Sequence, residues 1–447
     1  MHDLSAVVKA YDIRGLVGEQ IDDEVATALG RAAAVELHGS AVAVGFDMRP
    51  SSPSLAEAFM AGVRLQGVDT IDLGLCSTDL VYYASGRLGV PGAMWTASHN
   101  PAQYNGLKLC RAGAEPVSLD TGLAAIRDRA QSGNFPPSAE EGRHSRRDLI
   151  GEYADHVRGF VDVGSLRTMK VAVDAGNGMG GLVVPEVFGA LPVELVPLYF
   201  ELDGTFPNHP ANPIEPENLL DLQAAVVAEG CDIGLAFDGD ADRVFCVDER
   251  GHPVNPSLVT AVIARTLLER HPGETVLYNL ICSKVVPETI ESAGGHAVRT
   301  RVGHSFIKAV MKETGAVFAG EHSGHYYFRD NYRADSGLIA AVLLLEALSD
   351  HGGTASELVA PYDRYTQSGE VNTEVVDQSA AMAEAAEAFA GRGEADWADG
   401  LTVVGDDWWF NLRPSNTEPL LRLNVEADDR AGMERIRDEV LGIVRPS

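Results

Sequence analysis

Three stretches of this 447-residue chain repeat one local plan: a strand-like apolar run, a polar or glycine-rich loop, a helix pattern and a second strand-like run. The repeats begin with the runs Ala41–Asp47, Lys170–Asp174 and Thr275–Leu280. Buried strands that alternate with helices are typical of the βαβ units of a parallel sheet. The repeat therefore predicts an α/β protein with three similar doubly wound units rather than a short-period solenoid.

Breaks in composition divide the chain further. A polar linker with Pro and Gly covers residues 131–145, and a turn with two prolines covers residues 250–256. The C-terminal part instead combines an Ala-rich helix pattern with paired strand-like runs, which predicts an α+β cap with an antiparallel sheet. We expect four domains, at residues 1–148, 149–250, 251–365 and 366–447.

The charge of the chain limits what it can bind. Lys and Arg number 35 and Asp and Glu number 65, which gives a formal net charge of −30. Such an acidic excess argues against nucleic acid or an anionic membrane as a partner. The sequence also shows no apolar run long enough to span a bilayer and no signal peptide at Met1–Leu4. Five cysteines without a CxxC motif or an even disulfide frame predict a reducing, cytoplasmic location.

The loop Asp238-Gly-Asp-Ala-Asp-Arg243 places three carboxylates at alternate positions between two apolar runs. Crowded negative charges are unfavourable without a cation, and oxygen ligands suit Mg²⁺. Asp238, Asp240, Asp242 and Glu249 also match an EF-hand, but Arg243 stands where that loop needs Gly, and the flanks are strand-like. The sequence therefore predicts a metal site with these three aspartates as ligands, with a solvated acidic turn as the alternative.

The loop Thr96-Ala-Ser-His-Asn-Pro101 contains a serine that is either a nucleophile or a turn former. Ser98 and His99 are adjacent, which is poor geometry for a serine–histidine pair, so the loop does not indicate a hydrolase triad. Taken alone, this loop favours a structural interpretation.

The glycine-rich loop Gly176–Gly181 fits the pattern GxGxxG after a strand, with Glu201 and Asp203 further along the chain. This pattern is typical of a dinucleotide site. The alternative is that the glycines merely allow a close strand-to-helix turn. The other loops favour this alternative.

Two further loops carry hydrogen-bonding groups. Gly320-Glu-His-Ser-Gly-His325 combines a carboxylate, a hydroxyl and two imidazoles, a set that suits the hydroxyls of a sugar. The two histidines could instead indicate a metal, but no further Cys/His cluster supports one. Arg413-Pro-Ser-Asn-Thr417, together with Arg422, supplies donors that suit a phosphate. A plain polar turn and an ordinary hairpin loop are the alternatives.

In combination and in this order, the loops resemble those of the α-D-phosphohexomutase family. The resemblance covers the whole chain, beginning with Ala10-Tyr-Asp-Ile-Arg-Gly15. This N-terminal motif and the form Gly-Glu-x-Ser-Gly-His resemble the phosphomannomutase/phosphoglucomutase branch. The phosphoglucosamine branch, which is the alternative, usually shows Ser-Gly-Thr instead of Ser-Asn-Thr. His322 departs from the first branch, which often carries Met there. The resemblance implies four domains around a central cleft.

The resemblance also implies a reaction. The protein would be an isomerase that interconverts the 6-phosphate and the 1-phosphate of mannose, glucose or both. Ser98 would carry the phosphoryl group as phosphoserine, and a hexose 1,6-bisphosphate would be the intermediate and activator. One Mg²⁺ would be held by Ser98, Asp238, Asp240 and Asp242. The remote alternatives are a nucleotide-dependent oxidoreductase and a Ca²⁺-binding protein.

Further roles follow from the same resemblance. Lys108 would act as the general acid and base, Arg14 would assist it, and His325 is another catalytic candidate. The substrate-binding set would be Tyr11, His99, Arg243, Lys284, His304, Glu321, Ser323, His325, Arg413, Ser415, Asn416, Thr417 and Arg422. The expected partner is a phosphosugar, not nucleic acid or a membrane, and the expected state is a monomer or a homodimer.

Overall fold

The structure is a computed structural model that describes residues 3–415 and 420–445. Four domains follow one another along the chain, three of them α/β units and the last an α+β domain. The predicted fold class is therefore confirmed.

The first domain is built on a mixed sheet. Its elements are β1 Ile13–Leu16, α1 Asp23–Glu36, β2 Ala41–Phe46, α2 Ser52–Arg64, β3 Asp69–Leu75, α3 Thr78–Leu88, β4 Gly92–Trp95, β5 Tyr104–Arg111, β6 Glu115–Pro116, α4 Ala124–Ser132 and β7 His144–Arg146. The strand order is β1-β5-β4-β2-β3-β7, with β6 paired to β5. Short helical turns lie at Leu4–Ala6 and Leu119–Leu123.

The second domain has a smaller sheet of the same kind. Its elements are α5 Ile150–Arg158, β8 Met169–Asp174, α6 Gly180–Phe188, β9 Val193–Leu198, α7 Leu220–Glu229, β10 Ile233–Phe237, β11 Val244–Asp248 and β12 Pro253–Val254. Short helical turns lie at Val163–Ser165 and Pro216–Leu219. The strand order is β12-β11-β10-β8-β9, so this sheet extends past the predicted domain boundary at residue 250.

The third domain repeats the plan once more. Its elements are α8 Pro256–Arg270, β13 Thr275–Asn279, α9 Val285–Ser292, β14 His296–Thr300, α10 His304–Thr314, β15 Phe318–Gly320, β16 Tyr326–Phe328, α11 Gly337–His351 and α12 Ala355–Val359. A short helical turn lies at Arg329–Asn331. The strand order is β14-β13-β15-β16.

The C-terminal domain, which we call the cap, has an antiparallel sheet with two helices. Its elements are β17 Thr366–Glu374, α13 Gln378–Ala388, β18 Glu394–Asp396, β19 Leu401–Val404, β20 Trp408–Pro414, β21 Leu420–Ala427 and α14 Arg430–Val444. The strand order is β17-β21-β20-β19-β18. This confirms the antiparallel sheet that the sequence predicts.

The three α/β units share one core topology. A central strand (β2, β8 or β13) lies between two parallel strands, and a further strand runs antiparallel beside the second of these. The antiparallel step occurs at β4–β5, β10–β11 and β15–β16. The turns at these steps are residues 96–103, 238–243 and 321–325. The internal repeat thus places the serine, aspartate and glutamate loops at equivalent positions.

Several apolar cores hold the described chain together, one of them within the first unit around Phe59 and Trp95. One continuous apolar core joins the three α/β units and includes Met94 from the first, Phe237 from the second and Leu343 from the third. The cap has a core of its own around Phe410 and Ile436. Apolar burial, the main stabilising term in folding, therefore stabilises the cap mostly from within, while Trp409 joins Leu280 and Ile281 of the third unit in a small apolar cluster. No described helix is both long and apolar enough to cross a membrane.

Candidate active site

Ser98 lies in the turn between β4 and β5 and is fully buried. Its φ of 49° is in the left-handed region, where a residue other than glycine costs about 1–3 kcal/mol. Its Oγ donates to Asp238 Oδ2 at 2.6 Å and lies 3.2 Å from His99 Nδ1. The surrounding structure thus holds this serine in a strained backbone conformation, with its hydroxyl bonded to Asp238.

Arg49 holds the serine loop in this shape, and the sequence analysis missed it. Its side chain is fully buried, and its Nη2 donates to the carbonyls of Ser98 at 2.8 Å and Asn100 at 2.7 Å. Asp47 balances its charge, with the carboxylate 3.2 Å from Nε. The signal available in the sequence was an Asp-x-Arg at the carboxyl end of the first repeated strand.

Asp238, Asp240 and Asp242 are buried together at the equivalent turn of the second unit. Each offers a carboxylate oxygen, and these oxygens lie within 4.8 Å of one another. Burial and the neighbouring charge of Asp240 raise the pKa of Asp242 to about 6 and hold the pKa of Asp238 well above its ordinary value. The Oδ1 atoms of Asp240 and Asp242 are buried without a hydrogen-bond partner among the described residues. Unpartnered carboxylate oxygens that repel one another fit a hard divalent cation.

Lys108, on β5, brings a positive charge to this cluster. Its Nζ lies 2.6 Å from Asp240 Oδ2 and 2.6 Å from Asp242 Oδ2. Burial lowers the pKa of Lys108, but the two carboxylates outweigh it and hold that pKa above its ordinary value. Lys108 is therefore a cation in this arrangement.

The glycine-rich loop after β8 packs against the aspartate turn. The backbone N of Met179 donates to the carbonyl of Gly239 at 2.9 Å. A Cβ on Gly178 would lie 2.7 Å from the same carbonyl, and one on Gly181 would lie 2.2 Å from the carbonyl of Phe200. These glycines are needed for close backbone packing, which favours the turn interpretation over a dinucleotide site.

Thr78, at the start of α3, orients Asp240, one of the candidate metal ligands. Its role was not predicted from the sequence. Its Oγ1 donates to Asp240 Oδ2, and its backbone N donates to the Asp240 carbonyl at 3.1 Å. The next residue, Asp79, accepts from Tyr153 of the second unit and Ser336 of the third. The helix start therefore connects all three units beneath the site.

Glu321 stands at the equivalent turn of the third unit and is buried. Its Oε2 accepts from the Tyr327 hydroxyl at 2.6 Å, and its Oε1 accepts from Asn279 Nδ2 at 3.2 Å. Burial raises the pKa of Glu321 above its ordinary value. These bonds orient the carboxylate on the loop where the sequence predicts sugar binding.

Arg243 and His325 join the aspartate turn to the glutamate turn. Arg243 Nε donates to His325 Nε2 at 3.1 Å, and the two residues also form a backbone bridge. Because Nε2 accepts, the proton of the neutral imidazole is on Nδ1, which donates to Ser323 Oγ at 3.0 Å. Burial and the charge of Arg243 hold the pKa of His325 well below its ordinary value. The neutral ring thus positions Ser323.

The N-terminal segment closes one side of the site. Arg14 donates to Asn100 Oδ1 in the serine loop and to Asp12 Oδ2. The Tyr11 ring meets the His304 ring of the third unit edge to face, with centroids 5.1 Å apart. Burial and the charge of Lys308 lower the pKa of His304 to about 4. The structure thus places Tyr11, Arg14 and His304 beside the loops.

The cap contributes two arginines that face each other across β20 and β21, Arg413 and Arg422. Both pair with Glu370, at 3.2 Å and 3.3 Å, and Arg422 Nη2 also donates to Ser415 Oγ at 3.3 Å. One carboxylate thus serves two guanidinium groups, whose buried Nε atoms have no hydrogen-bond partner in the described chain. This surplus of positive charge and donors suits an anion. Asn416 and Thr417 lie outside the described residues.

Lys284 contacts the cap and the segment that precedes it. Its Nζ lies 3.4 Å from Asp428 and 4.7 Å from the centre of the Tyr365 ring, at the junction of the third unit and the cap. Its backbone N donates to Glu426 at 2.9 Å. Its predicted role in substrate binding therefore remains a prediction.

Fold and site together define a class: a four-domain protein of three α/β units and a cap, with a buried serine bonded to a turn of three buried aspartates and two facing arginines on the cap. Family models confirm the assignment domain by domain. The models of phosphoglucomutase/phosphomannomutase alpha/beta/alpha domains I, II and III and of the C-terminal domain match residues 5–136, 151–251, 255–365 and 370–443. The chain belongs to the phosphoglucomutase/phosphomannomutase family.

Individual relatives agree with this. The chain is 41% identical over 444 residues to a phosphohexose mutase of Xanthomonas campestris, with 98% of each chain covered. It is 38% identical to the phosphomannomutase/phosphoglucomutase of Pseudomonas putida, with 97% of this chain and 94% of that protein covered.

Solved structures extend the comparison. A family protein from Burkholderia thailandensis has a TM-score of 0.91 and 33% identity, with 100% of this chain and 99% of the other covered. A phosphoglucomutase from Paramecium, at 17% identity and a TM-score of 0.82 with 99% and 95% coverage, shows the same fold.

Proposed function

We propose that this protein is a phosphohexomutase that interconverts hexose 6-phosphates and hexose 1-phosphates of mannose, glucose or both. The observation that carries the proposal is the Ser98 hydroxyl, which lies 2.6 Å from Asp238 in a buried cluster of three aspartates. Ser98 is the phosphoryl carrier, and a hexose 1,6-bisphosphate is the intermediate and activator. The isomerase activity of the family supports this assignment.

The charge of a phosphoserine requires a cation at this site. A phosphoryl group on Ser98 would bring a charge of about −1.5 to −2 next to three carboxylates. Asp238, Asp240, Asp242 and a phosphate oxygen on Ser98 would hold one Mg²⁺. When bound, Mg²⁺ supplies compensation for the charge on the transferring phosphoryl group.

The positions of the side chains support the following transfer. In the first half, the bond between phosphorus and Ser98 Oγ breaks, and a bond from phosphorus to the free sugar hydroxyl forms. Lys108 takes the proton of that hydroxyl and gives a proton to the Ser98 oxygen as it leaves, and the second half reverses these steps with the other phosphate. Lys108 can accept a proton only when Asp240 and Asp242 are otherwise neutralised, since these carboxylates raise its pKa.

The sugar must bind in two orientations, because each of its two phosphate positions takes a turn at Ser98. Arg413 and Arg422 hold whichever phosphate is not reacting. Glu321 and Ser323 bind ring hydroxyls between the two ends. Since the cap has its own core, it can close on the substrate and exclude water that would hydrolyse the phosphoserine.

A mutase assay tests the function. Mannose 1-phosphate, glucose 1-phosphate and glucosamine 6-phosphate are each supplied with Mg²⁺ and a trace of the matching 1,6-bisphosphate. We expect higher kcat/KM on the mannose and glucose phosphates, and loss of turnover in a chelator that Mg²⁺ reverses. A higher kcat/KM on glucosamine 6-phosphate would assign the protein to the phosphoglucosamine branch. Absence of turnover on all three would contradict the proposal.

Thr78→Val should weaken Mg²⁺ binding about 10- to 100-fold, because residues that orient a metal ligand have effects of this size. The valine keeps the shape of the side chain but leaves Asp240 Oδ2 without its donor. Titration calorimetry with Mg²⁺ measures the change. The control is Thr27→Val, which removes an exposed hydroxyl bonded only to the Asp23 carbonyl in α1. Equal Mg²⁺ affinity in the two variants would show that Thr78 does not orient Asp240.

The remaining assignments are proposals of the same kind. We place the enzyme in the cytoplasm as a monomer or homodimer, with a phosphosugar as its partner. The five cysteines are buried free thiols, which is compatible with a reducing compartment.

A further inference from the structure

Asn279, the last residue of β13, lies fully buried behind the glutamate turn. Its Nδ2 donates to Glu321 Oε1 at 3.2 Å and lies 3.1 Å from His322 Nδ1. Its Oδ1 accepts from Cys282 Sγ at 3.1 Å. Each polar atom of this amide therefore has a partner, and the amide contacts two consecutive residues of the loop.

These contacts determine which way the amide points. If it were turned over, its Oδ1 would face the Glu321 carboxylate, and its Nδ2 would face the Cys282 thiol. The observed orientation directs the two amide hydrogens at Glu321 and at Nδ1 of His322. Nδ1 must therefore accept, and in a neutral imidazole the proton is then on Nε2.

His322 stays neutral in the folded protein. Burial and the charges of Arg413, Arg422 and Arg243 lower its pKa to about 3. The ring therefore keeps one donor, Nε2–H, at any pH at which the enzyme would be assayed.

The surroundings of His322 show what this donor can reach. The side chain is half-buried, and the described residues offer Nε2 no hydrogen-bond acceptor. The arginines whose charges act on the ring come from two parts of the molecule: Arg243 from the aspartate turn, and Arg413 and Arg422 from the cap. A sugar bound between the aspartate turn and the cap arginines would lie close to this ring.

We propose that His322 is a specificity-determining residue that donates Nε2–H to a ring hydroxyl of the hexose phosphate, with its tautomer set by Asn279. The inference rests on the proposed function and adds a third hydroxyl contact to those of Glu321 and Ser323. A methionine at this position could not donate. The identity of residue 322 thus changes how the enzyme ranks hexose phosphates that differ at one hydroxyl.

The test pairs His322→Met with substrates that lack single hydroxyls. We measure kcat/KM of the wild type and the variant on glucose 1-phosphate and on its 2-deoxy, 3-deoxy and 4-deoxy analogues. We expect the substitution to lower kcat/KM on glucose 1-phosphate about 10-fold, the effect of one lost neutral hydrogen bond. With one of the deoxy analogues the loss should vanish, because the partner of His322 is then absent. An equal loss on all four substrates would overturn the proposal, as would no loss on any of them.

Two control variants distinguish the loss of a hydrogen bond to the substrate from a general effect of the substitution. His322→Gln keeps an N–H donor and should retain part of the activity that His322→Met loses. His252→Met replaces an exposed histidine of the second unit and should leave kcat/KM unchanged. If His322→Gln were as impaired as His322→Met on glucose 1-phosphate, the donor assignment would be wrong.

A spectroscopic measurement tests the tautomer without turnover. In protein labelled with ¹⁵N-histidine, the resonances missing from His322→Met identify His322. We expect them to show a neutral ring protonated at Nε2, and protonation at Nδ1 would overturn the role given to Asn279. A wild type without turnover on any hexose phosphate would instead contradict the proposed function. An active wild type that is indifferent to His322→Met contradicts this inference alone.

Discussion

Ser98→Ala is expected to lower mutase turnover by about three orders of magnitude or more, the scale of losing a covalent nucleophile. The variant lacks the oxygen that lies 2.6 Å from Asp238 and would carry the phosphoryl group. Arg49 bonds to the backbone carbonyls of the loop and not to the serine hydroxyl. The loop and the fold should therefore survive the change.

Intact-mass analysis and kinetics together check this result. The wild type should carry a phosphate adduct of about 80 Da, which the variant lacks. The control is Ser138→Ala, which removes an exposed hydroxyl of the linker bonded only to the Glu140 carbonyl. It should keep both the adduct and the turnover. Turnover by Ser98→Ala close to that of the wild type would exclude the phosphoserine mechanism.

Arg413→Ala is expected to lower kcat/KM roughly 30- to 1000-fold, the equivalent of about 2–4 kcal/mol for a lost, partly desolvated charge pair. Arg413 is nearly buried and shares Glu370 with Arg422. KM should rise because the remote phosphate loses its bidentate partner. The kcat value should fall as well, because binding energy at the remote phosphate helps position the reacting hydroxyl. Steady-state kinetics on glucose 1-phosphate measure both.

Two further variants show whether the loss of activity depends on the guanidinium group of Arg413 or only on a positive charge in the cap. Arg413→Lys keeps the charge without the planar fork and should rescue only part of the activity. Arg430→Ala removes an equal charge from an exposed position on the same domain, 3.9 Å from Glu434, and should have little effect. The phosphorylation of Ser98 should be the same in all three variants. If Arg413→Ala kept near-wild-type kcat/KM, the loop after β20 would be a structural hairpin and the phosphate site would lie elsewhere.

Much of the fold could be predicted because it is recorded in local patterns. The runs Ala41–Asp47, Lys170–Asp174 and Thr275–Leu280 all contain central strands of the three sheets. Strands that are covered on both faces must be apolar along their length, so the hydrophobic pattern reveals them one by one. The antiparallel sheet of the cap could also be predicted from its local hydrophobic pattern.

The hydrophobic pattern did not show that the serine, aspartate and glutamate turns occupy equivalent positions in their sheets. The serine, aspartate and glutamate turns each lie between a strand parallel to the central strand and the antiparallel strand that pairs with it. Strand order depends on which strands pair across long separations in the chain, and a local pattern carries no information about that pairing. The equivalence therefore emerged only from the sheets.

The candidate site likewise has residues that could be predicted from the sequence and residues that only the structure identified. Asp238, Asp240 and Asp242 stand close together in the sequence, and their mutual repulsion points to a cation without knowledge of the fold. The roles of Arg49 and Thr78 depend on partners in other parts of the chain, namely the carbonyls of the serine loop and the Asp240 carboxylate. A lone arginine or threonine has many possible partners.

The class of chemistry could thus be predicted from the sequence alone, because the charges and hydroxyls that carry it are neighbours in short runs of residues. The assembly of those runs into one site was decided by the tertiary structure, through the core shared by three units and the buried bonds of Arg49, Thr78 and Asn279. The physical reason is that burial away from water makes every polar group depend on a specific partner, and the partner comes from wherever the fold brings the chain.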